Sequence, residues 1–290
     1  MTERWIDRLV GMTDRTERFR QLHESGCFVM PNPWDKGSAM LLAKLGFPAL
    51  ATTSAGFAWS IGRPDTGVLL DEMVQHLRAI VSSVDLPVNA DFEGGYALAP
   101  ASVANNVTIA CTTGVAGLSI EDSTPKGHEG GPLLDFDLAV ERIAAARSAI
   151  DASKSGVLLT GRSEGFICGA PDIKETVRRL TAYAAAGADC LYAPGIREDK
   201  HIAAVVKAVA PKPVNVLVGS NFTTVAKLRD LGVRRISTGG ALARAALTGF
   251  MLSAREIADG GTFDVMANAL SYDEVNAQFE RRSVPRPQKA

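Results

Sequence analysis

Eight short apolar runs, each followed by an Ala/Leu-rich segment with helical spacing, recur along the 290 residues of this chain, and no other feature restricts its fold as much. The runs are Phe28 to Pro31, Ala49 to Thr53, Pro87 to Asp91, Gly117 to Glu121, Gly156 to Thr160, Ala188 to Ala193, Pro213 to Val218 and Arg234 to Thr238. Each is bounded by polar or glycine-rich residues, the pattern of a buried strand. Their starts lie 21, 38, 30, 39, 32, 25 and 21 residues apart, near the roughly 30 that a strand, its crossover helix and the next strand occupy. The intervening segments read as helices: Gly37 to Leu45, Val68 to Val84, Ser102 to Gly114, Asp135 to Ser153, Ile173 to Ala186, Asp199 to Ala210, Asn221 to Leu231 and Ala241 to Asp259. Leu45-Gly46, Ala186-Gly187 and Leu231-Gly232 are helix stops that lead directly into strands, as in a parallel sheet wound from βα units.

Two architectures accept that pattern, the doubly wound open sheet and the closed barrel. Eight units without a GxGxxG fingerprint select an α/β fold of the (β/α)8 TIM-type barrel class, with extra N- and C-terminal helices. The chain is expected to be a single domain, 1–290, with its barrel core at about 28–260, N-terminal helices in 1–27 and a C-terminal helix and tail in 262–290. An amphipathic helix left over after a barrel closes has an apolar face to bury, and a second subunit offers a place, so a homo-oligomer is expected.

With 31 Lys+Arg against 32 Asp+Glu the net charge is −1, which speaks against nucleic acid or an anionic membrane as partner. The first 20 residues are charged throughout and hold no apolar h-region, so a cytoplasmic location is expected. The longest uncharged stretch, Leu45 to Gly62, is broken by Gly, Pro, Thr and Ser, a poor membrane span. Cys27, Cys111, Cys168 and Cys190 show no CxxC spacing and read as plain thiols.

In such a barrel the chemistry sits at the C-terminal ends of the strands, and the residues delivered there are polar. Asp91 and Glu121 end adjacent strands three and four, with Asn89 two residues before Asp91. Hard oxygen ligands with few imidazoles nearby suit Mg²⁺ or Mn²⁺; the bland alternative is that one of them caps a helix or pairs with Arg162. Arg162 ends strand five. Its planar fork fits a carboxylate bidentately, implying a small anionic carboxylate substrate, unless it only neutralises Asp91 or Glu121. Thr53 and Ser54 offer hydroxyls for a second anionic group, or ordinary loop capping, and Trp34 at the end of strand one is a further candidate substrate contact. The loop Ser123 to Asp135 is too long and glycine-rich for a tight turn and reads as a lid carrying Lys126, His128 and Glu129. Gly161 to Gly165 matches the G-x-S-x-G elbow of serine hydrolases, but no helix follows at once and His201 is the only later histidine.

The segments PNPWDKGSA, LATTSAGFAWSIGRPD, NADFEGGY, GLSIEDS, TGRSEGF and LGVRRISTGG together resemble the isocitrate lyase and phosphoenolpyruvate mutase superfamily, over roughly residues 15 to 260. The resemblance is nearest to its short members of the phosphonomutase-like and methylisocitrate-lyase-like branch. It implies a barrel whose last helix is exchanged between subunits of a dimer or tetramer, and Mg²⁺ bound beside an α-oxo or α-hydroxy carboxylate. It also implies chemistry through a metal-stabilised enolate. By the same resemblance Asp91 and Glu121 are the metal-site carboxylates, and Asn89 replaces the first Asp of a DxD pair. Thr53, Ser54 and Ala55 receive the substrate carboxylate, Asp65 lines the site, and Arg162 binds substrate. The lid departs from the lyase pattern KKCGH, having no Cys between Cys111 and Cys168, and from the mutase pattern EDKxxxKxNS. Decarboxylation needs an electron sink more than a dedicated base. The expected activity is therefore that of a lyase, by decarboxylation or retro-aldol cleavage of a small 2-oxo or 2-hydroxy di- or tricarboxylate. Arg162 and a lid group, His128 or Lys126, would be catalytic. Phosphoenolpyruvate or phosphonate chemistry, and a non-catalytic metabolite-binding barrel, are the alternatives.

Overall fold

The computed structural model describes residues 15–125 and 127–280, and the expected helical segment in 1–14 lies outside them. A helix α1 (15–24) precedes β1 (Phe28–Met30), after which strands and helices alternate. The strands are β2 (Leu50–Ala51), β3 (Val88–Asp91), β4 (Gly117–Glu121), β5 (Leu158–Arg162), β6 (Cys190–Tyr192), β7 (Val214–Leu217) and β8 (Arg235–Ser237). The helices are α2 (Lys36–Lys44), α3 (Ser54–Ser60), α4 (Leu70–Ser83), α5 (Pro100–Cys111), α6 (Phe136–Ser153), α7 (Ile173–Ala185), α8 (Asp199–Val209), α9 (Val225–Asp230), α10 (Ala241–Gly260) and α11 (Tyr272–Phe279).

All eight strands pair in parallel, β1 with β8 and then in descending order round to β2. Between β1 and β2 the ring is drawn together by Ala51 N donating to Pro31 O at 3.0 Å and Asn32 Nδ2 donating to Thr52 O at 2.7 Å. The expected barrel is the observed one.

The two-residue period of a strand sends alternate side chains outward, where Ala90, Leu118, Ile120, Leu159, Leu191 and Ile236 are buried beneath the helices. Helix starts are fixed by side chains: Asp35, Thr53, Asp135, Asp172 and Thr224 each accept a hydrogen bond from a backbone N–H of the first turn of α2, α3, α6, α7 and α9. The stops at Gly46, Gly187 and Gly232 have φ of 84°, 104° and 87°, a left-handed turn that glycine adopts without strain.

Three local expectations are corrected. Strand five begins two residues later than its apolar run, because Gly156 at φ 70° still belongs to the turn after α6, and it runs on to end at Arg162 as expected. Helix α9 is shorter than expected, starting at its cap Thr224 rather than at Asn221. Finally, Ser54 to Ser60 forms α3, one of the short helices for which periodicity has too few turns to register.

The N-terminal end of the barrel is plugged by α1. Phe19 is fully buried there. A Cβ on Gly117 would stand 2.7 Å from its ring and 2.6 Å from Asn89 Oδ1, so only glycine leaves room for the plug. His23, Phe19 and Phe28 stack edge to face, with centroids 4.7 to 6.3 Å apart. His23 Nδ1 lies 2.7 Å from Phe19 O and Nε2 lies 3.3 Å from Arg235 Nη1. A guanidinium can only donate, so Nε2 is the acceptor and Nδ1 carries the proton.

The chain divides into two compact units, with the boundary between Ala243 and Arg244, inside α10. In the second unit Glu256 fastens the turn after α10, accepting from Thr262 Oγ1 at 2.6 Å, Asp264 N at 2.7 Å and Val265 N at 2.8 Å. Helix α11 starts on a Ser271–Glu274 capping box. This unit exposes Phe250, Leu252 and Tyr272 at 66%, 55% and 83%. Among the described residues no helix is long and apolar enough to cross a membrane.

Burial, and then the Arg235 charge, lowers the His23 pKa to about 3; burial lowers that of His76, stacked on Phe57, to about 4. The unfolded chain binds these protons near pH 6.5 and the native state does not, so the histidine contribution to stability is complete above pH 6.5 and is lost as pH drops toward 4. Each histidine contributes a slope of about 1.4 kcal/mol per pH unit in that window. Urea titrations between pH 7 and 5 should show the slope decrease by about that amount in His23→Gln.

Candidate active site

The C-terminal mouth of the barrel collects four carboxylates around one guanidinium. Arg162 Nη1 lies 3.0 Å from Asp91 Oδ1 and 3.1 Å from Glu121 Oε2. Its Nε donates to Glu164 Oε1 and its Nη2 to Glu164 Oε2, the latter at 3.0 Å. The bidentate fork expected to hold a substrate carboxylate therefore faces Glu164. Three of its five N–H groups donate to Asp91 and Glu164, and Glu121 stands beside Nη1 as an ion pair, so the guanidinium keeps N–H groups to offer a ligand. Glu93 completes the set, lining an outer cavity of about 600 Å³ together with Glu121, Arg162 and Glu164.

Ladder register explains the convergence. Glu121 pairs with Arg162 across β4 and β5, and Asp91 with Ser119 across β3 and β4, so the inward-facing ends of adjacent strands lie within one two-residue step of each other. Asp91 is held from a third strand: its Oδ2 accepts from both Ser54 N and Ser54 Oγ at 2.9 Å, and its own N donates to Thr52 Oγ1 at 2.9 Å. Ser123 Oγ donates to Glu121 Oε1 at 2.8 Å.

Behind this layer stands a second one. Asp122, almost wholly buried, accepts Glu164 N on Oδ1 at 2.8 Å, and Arg179 Nη1 and Tyr183 Oη on Oδ2 at 3.1 and 2.6 Å. Arg142 reaches in from α6 and pairs with no carboxylate among the described residues; it donates to three backbone carbonyls, those of Glu121, Gly94 and Ala97, tying the loop after β3 to the end of β4.

The electrostatics show more acids than the one cation offsets, and their proton affinity is raised. Burial raises the Glu121 pKa against the pull of Arg162. Burial, then Asp91, Glu121 and Asp65, pushes Glu93 up to about 8; burial likewise brings Glu164 to about 8 although Arg162 opposes it. For Arg162 burial works the other way and the three acids outweigh it, holding it charged. One cation among four acids leaves room for another, and the donors are hard oxygens of the kind Mg²⁺ or Mn²⁺ takes. Among the described residues no three Asp, Glu, His or Cys side chains form a ready cage.

An inner cavity of about 140 Å³ lies below, lined by Ser54, Ala55, Asp91, Arg162, Tyr192 and Arg235 among others. Thr53, Asp65 and Asn89 also line it, so most of the expected site is brought together. Thr53 does serve as a cap, accepting from Gly56 N at 3.2 Å, with its own O–H left to donate. Asn89 Oδ1 is buried without a hydrogen-bond partner among the described residues. His128, exposed on the lid, lines the outer cavity, while Lys126 lies outside the described residues. Trp34 lines neither cavity and stands behind Gly56, whose Cβ would meet it at 3.0 Å. Ser163 of the G-x-S-x-G pattern is 1% exposed and lines neither cavity. Sequence reading did not assign roles to Glu93, Glu164, Tyr192 or Arg235. The acids were visible only as neighbours of Asp91 and Arg162, and the last two sit in ordinary strand runs.

A family pattern described as phosphoenolpyruvate phosphomutase matches residues 19–258. An oxaloacetate decarboxylase of Paraburkholderia xenovorans is 34% identical over 209 residues, 69% of this chain and 68% of that protein. A crystal structure from Burkholderia cenocepacia J2315, described as a lyase/mutase, superposes with a TM-score of 0.90 at 45% identity, over 94% of this chain and 98% of that one. A phosphonopyruvate hydrolase in complex with oxalate and Mg²⁺ superposes with a TM-score of 0.79 at 26% identity, over 91% and 94%.

The buried Asp122 anchor is testable apart from catalysis. Removing it takes the buried acceptor from Arg179 Nη1, Tyr183 Oη and Glu164 N and leaves Arg179 with Glu175 alone, so Asp122→Ala should lose about 3 kcal/mol of unfolding free energy in urea.

Proposed function

The chain belongs to the phosphoenolpyruvate phosphomutase family, and from that membership we propose that it is a divalent-metal-dependent lyase. Its substrate would be a small 2-oxo or 2-hydroxy di- or tricarboxylate such as oxaloacetate, cleaved at a carbon–carbon bond by decarboxylation or retro-aldol chemistry. The observation that carries this is the meeting of Asp91, Glu93, Glu121 and Glu164 around a single Arg162 at the barrel mouth.

Asp91 and Glu121 are the residues that would hold Mg²⁺ or Mn²⁺, with Asn89 supporting them from the strand behind. The bound ion would polarise the α-oxygen and offset charge developing there. The chain's own groups do the remaining work. Arg162, immobilised by Glu164, directs a free N–H at a substrate carboxylate, and its fixed position means that no reorganisation is needed as charge builds. Ser54 orients Asp91, and the Thr53 O–H and the Ala55 segment receive a second carboxylate with Asp65 at the rim. His128, or Lys126 beside it, closes over the outer cavity with the lid and moves the proton. The oxaloacetate decarboxylase relative and the oxalate-bound neighbour support this substrate class.

Incubation with oxaloacetate, other 2-oxo acids and Mg²⁺ should yield pyruvate or the matching cleavage product, and Asp91→Ala should lower the enzymatic rate at least about 100-fold. Oxaloacetate turnover unchanged in Asp91→Ala with chelator present would overturn the proposal, and a phosphorus NMR change in phosphonates would select the mutase-type alternative.

The apolar side chains exposed on α10 and α11 are assigned to contact with further copies of this chain in a dimer or tetramer. Sedimentation should give two or four chain masses, and Phe250→Asp with Leu252→Asp should shift the species toward monomer.

A further inference from the structure

Asp91 and Glu121, the two carboxylates assigned to the metal, are held in the same way. Asp91 gives Oδ1 to Arg162 Nη1 at 3.0 Å, and Glu121 gives Oε2 to the same nitrogen at 3.1 Å. The other oxygen of each accepts from a serine: Asp91 Oδ2 from Ser54 N and Oγ at 2.9 Å, Glu121 Oε1 from Ser123 Oγ at 2.8 Å. Ser54 is fixed as the first residue of α3. Ser123 opens the lid loop, so the hold it has on Glu121 depends on what fixes Ser123 itself.

The base of that loop is a closed hairpin. Ser123 and Leu133 form an antiparallel bridge, Thr124 N donates to Pro132 O at 3.0 Å, and Leu134 N donates to Asp122 O at 2.9 Å. Arg179 clasps both limbs, donating to Asp122 Oδ2 through Nη1 at 3.1 Å and to Leu134 O through Nη2 at 2.9 Å. The exposed residues Gly127 to Gly131 lie beyond these rungs, and Gly127 and Gly130 among them have φ of 86° and 125°. Ser123 therefore belongs to the fixed base of the loop rather than to its tip. It also lines the outer cavity beside Glu121 and Arg162.

We propose that Ser123 is a positioning residue for the divalent metal: from the base of the lid its hydroxyl holds Glu121 Oε1 apart from Arg162 and keeps this carboxylate available to the ion. The assignment rests on the divalent-metal reading of the site and names a residue that reading does not use. A carboxylate with both oxygens free closes on a guanidinium in a two-bonded fork, as Glu164 does on Arg162. Without the Ser123 hydroxyl, Glu121 Oε1 is free to turn to the guanidinium as well, and an acid engaged twice by Arg162 has less to offer a metal. Because the base of the loop is zipped, the hold on Glu121 is the same wherever the tip stands.

The test is titration of the protein with Mn²⁺ alone, followed by electron paramagnetic resonance, with melting temperature monitored for every variant. Ser123→Ala should raise the Mn²⁺ Kd about 10-fold to 100-fold, the range for losing a hydrogen bond that orients a metal ligand, while melting close to wild type. Ser123→Thr and Ser123→Val introduce side chains of the same shape, both suited to the extended backbone of the bridge, but only Ser123→Thr keeps a hydroxyl. Ser123→Thr should bind Mn²⁺ like wild type and Ser123→Val like Ser123→Ala. Ser123→Ala binding Mn²⁺ within twofold of a wild type that itself binds would overturn the assignment and leave the site reading intact, and so would equal affinities in Ser123→Thr and Ser123→Val. A wild type that binds no Mn²⁺ would overturn both. Should Ser123→Ala fail to fold, the comparison of Ser123→Thr with Ser123→Val decides alone.

Discussion

Everything at the mouth of this barrel depends on the charge of Arg162. Three carboxylates close on it within hydrogen-bonding distance and a fourth stands beside them. Each buried ion costs several kcal/mol to desolvate, and well-packed apolar side chains in the same space would leave a barrel at least as stable. A cluster with more acids than bases is therefore poorly explained as a stabilising device. On the proposed function it is a receptor kept short of positive charge, in which a metal ion and an anionic ligand would complete the balance.

Holding such a receptor together requires rigidity supplied from outside it. Asp122 faces away from the cavities, yet it fixes the backbone at Glu164 and is itself fixed by Arg179 and Tyr183 of α7. Arg142 of α6 does the same for the carbonyls flanking Glu93 and Glu121. The two helices reach over the rim and pin the loops on which β3, β4 and β5 end. The acids can then stay close together without splaying apart, and burial, with repulsion among them added to it, raises the proton affinity of Glu93, Glu121 and Glu164.

Much of this was legible in the residues alone, for physical reasons. A βα unit writes itself twice, in an apolar run and in a helix stop, and eight repeats leave few ways to close a sheet; the barrel followed. Asp91, Glu121 and Arg162 followed from it, because strand ends in a barrel converge whatever their separation in sequence. The partners of a charge did not follow. Nothing local says that the Arg162 fork turns to Glu164 two residues away rather than outward, since that choice depends on Asp122 holding Glu164 from a different strand end. Helix α3 was missed because its start rests on one side-chain cap at Thr53 rather than on a periodic face. Arg235 reads as one basic residue in the run LGVRRIS, and only the register that turns it inward, with Arg234 bonding to Gly26 O at the surface, separates the two.

That separation bears on how the two ends of the barrel are related. At the N-terminal end α1 closes the interior with Phe19 and a neutral His23, whose single acceptor nitrogen meets Arg235. A protonated His23 would have no acceptor to offer, so keeping it neutral is a condition for Arg235 to sit where it does. Arg235 in turn orders Asn215 and Ser237, and these reach the cavity beneath Arg162. The plug that completes the fold and the polarity of the floor of the site are thus joined by one row of hydrogen bonds. A change at His23, remote from any ligand, would be felt at the mouth through the orientation of amide and hydroxyl groups rather than through any displacement of the acids.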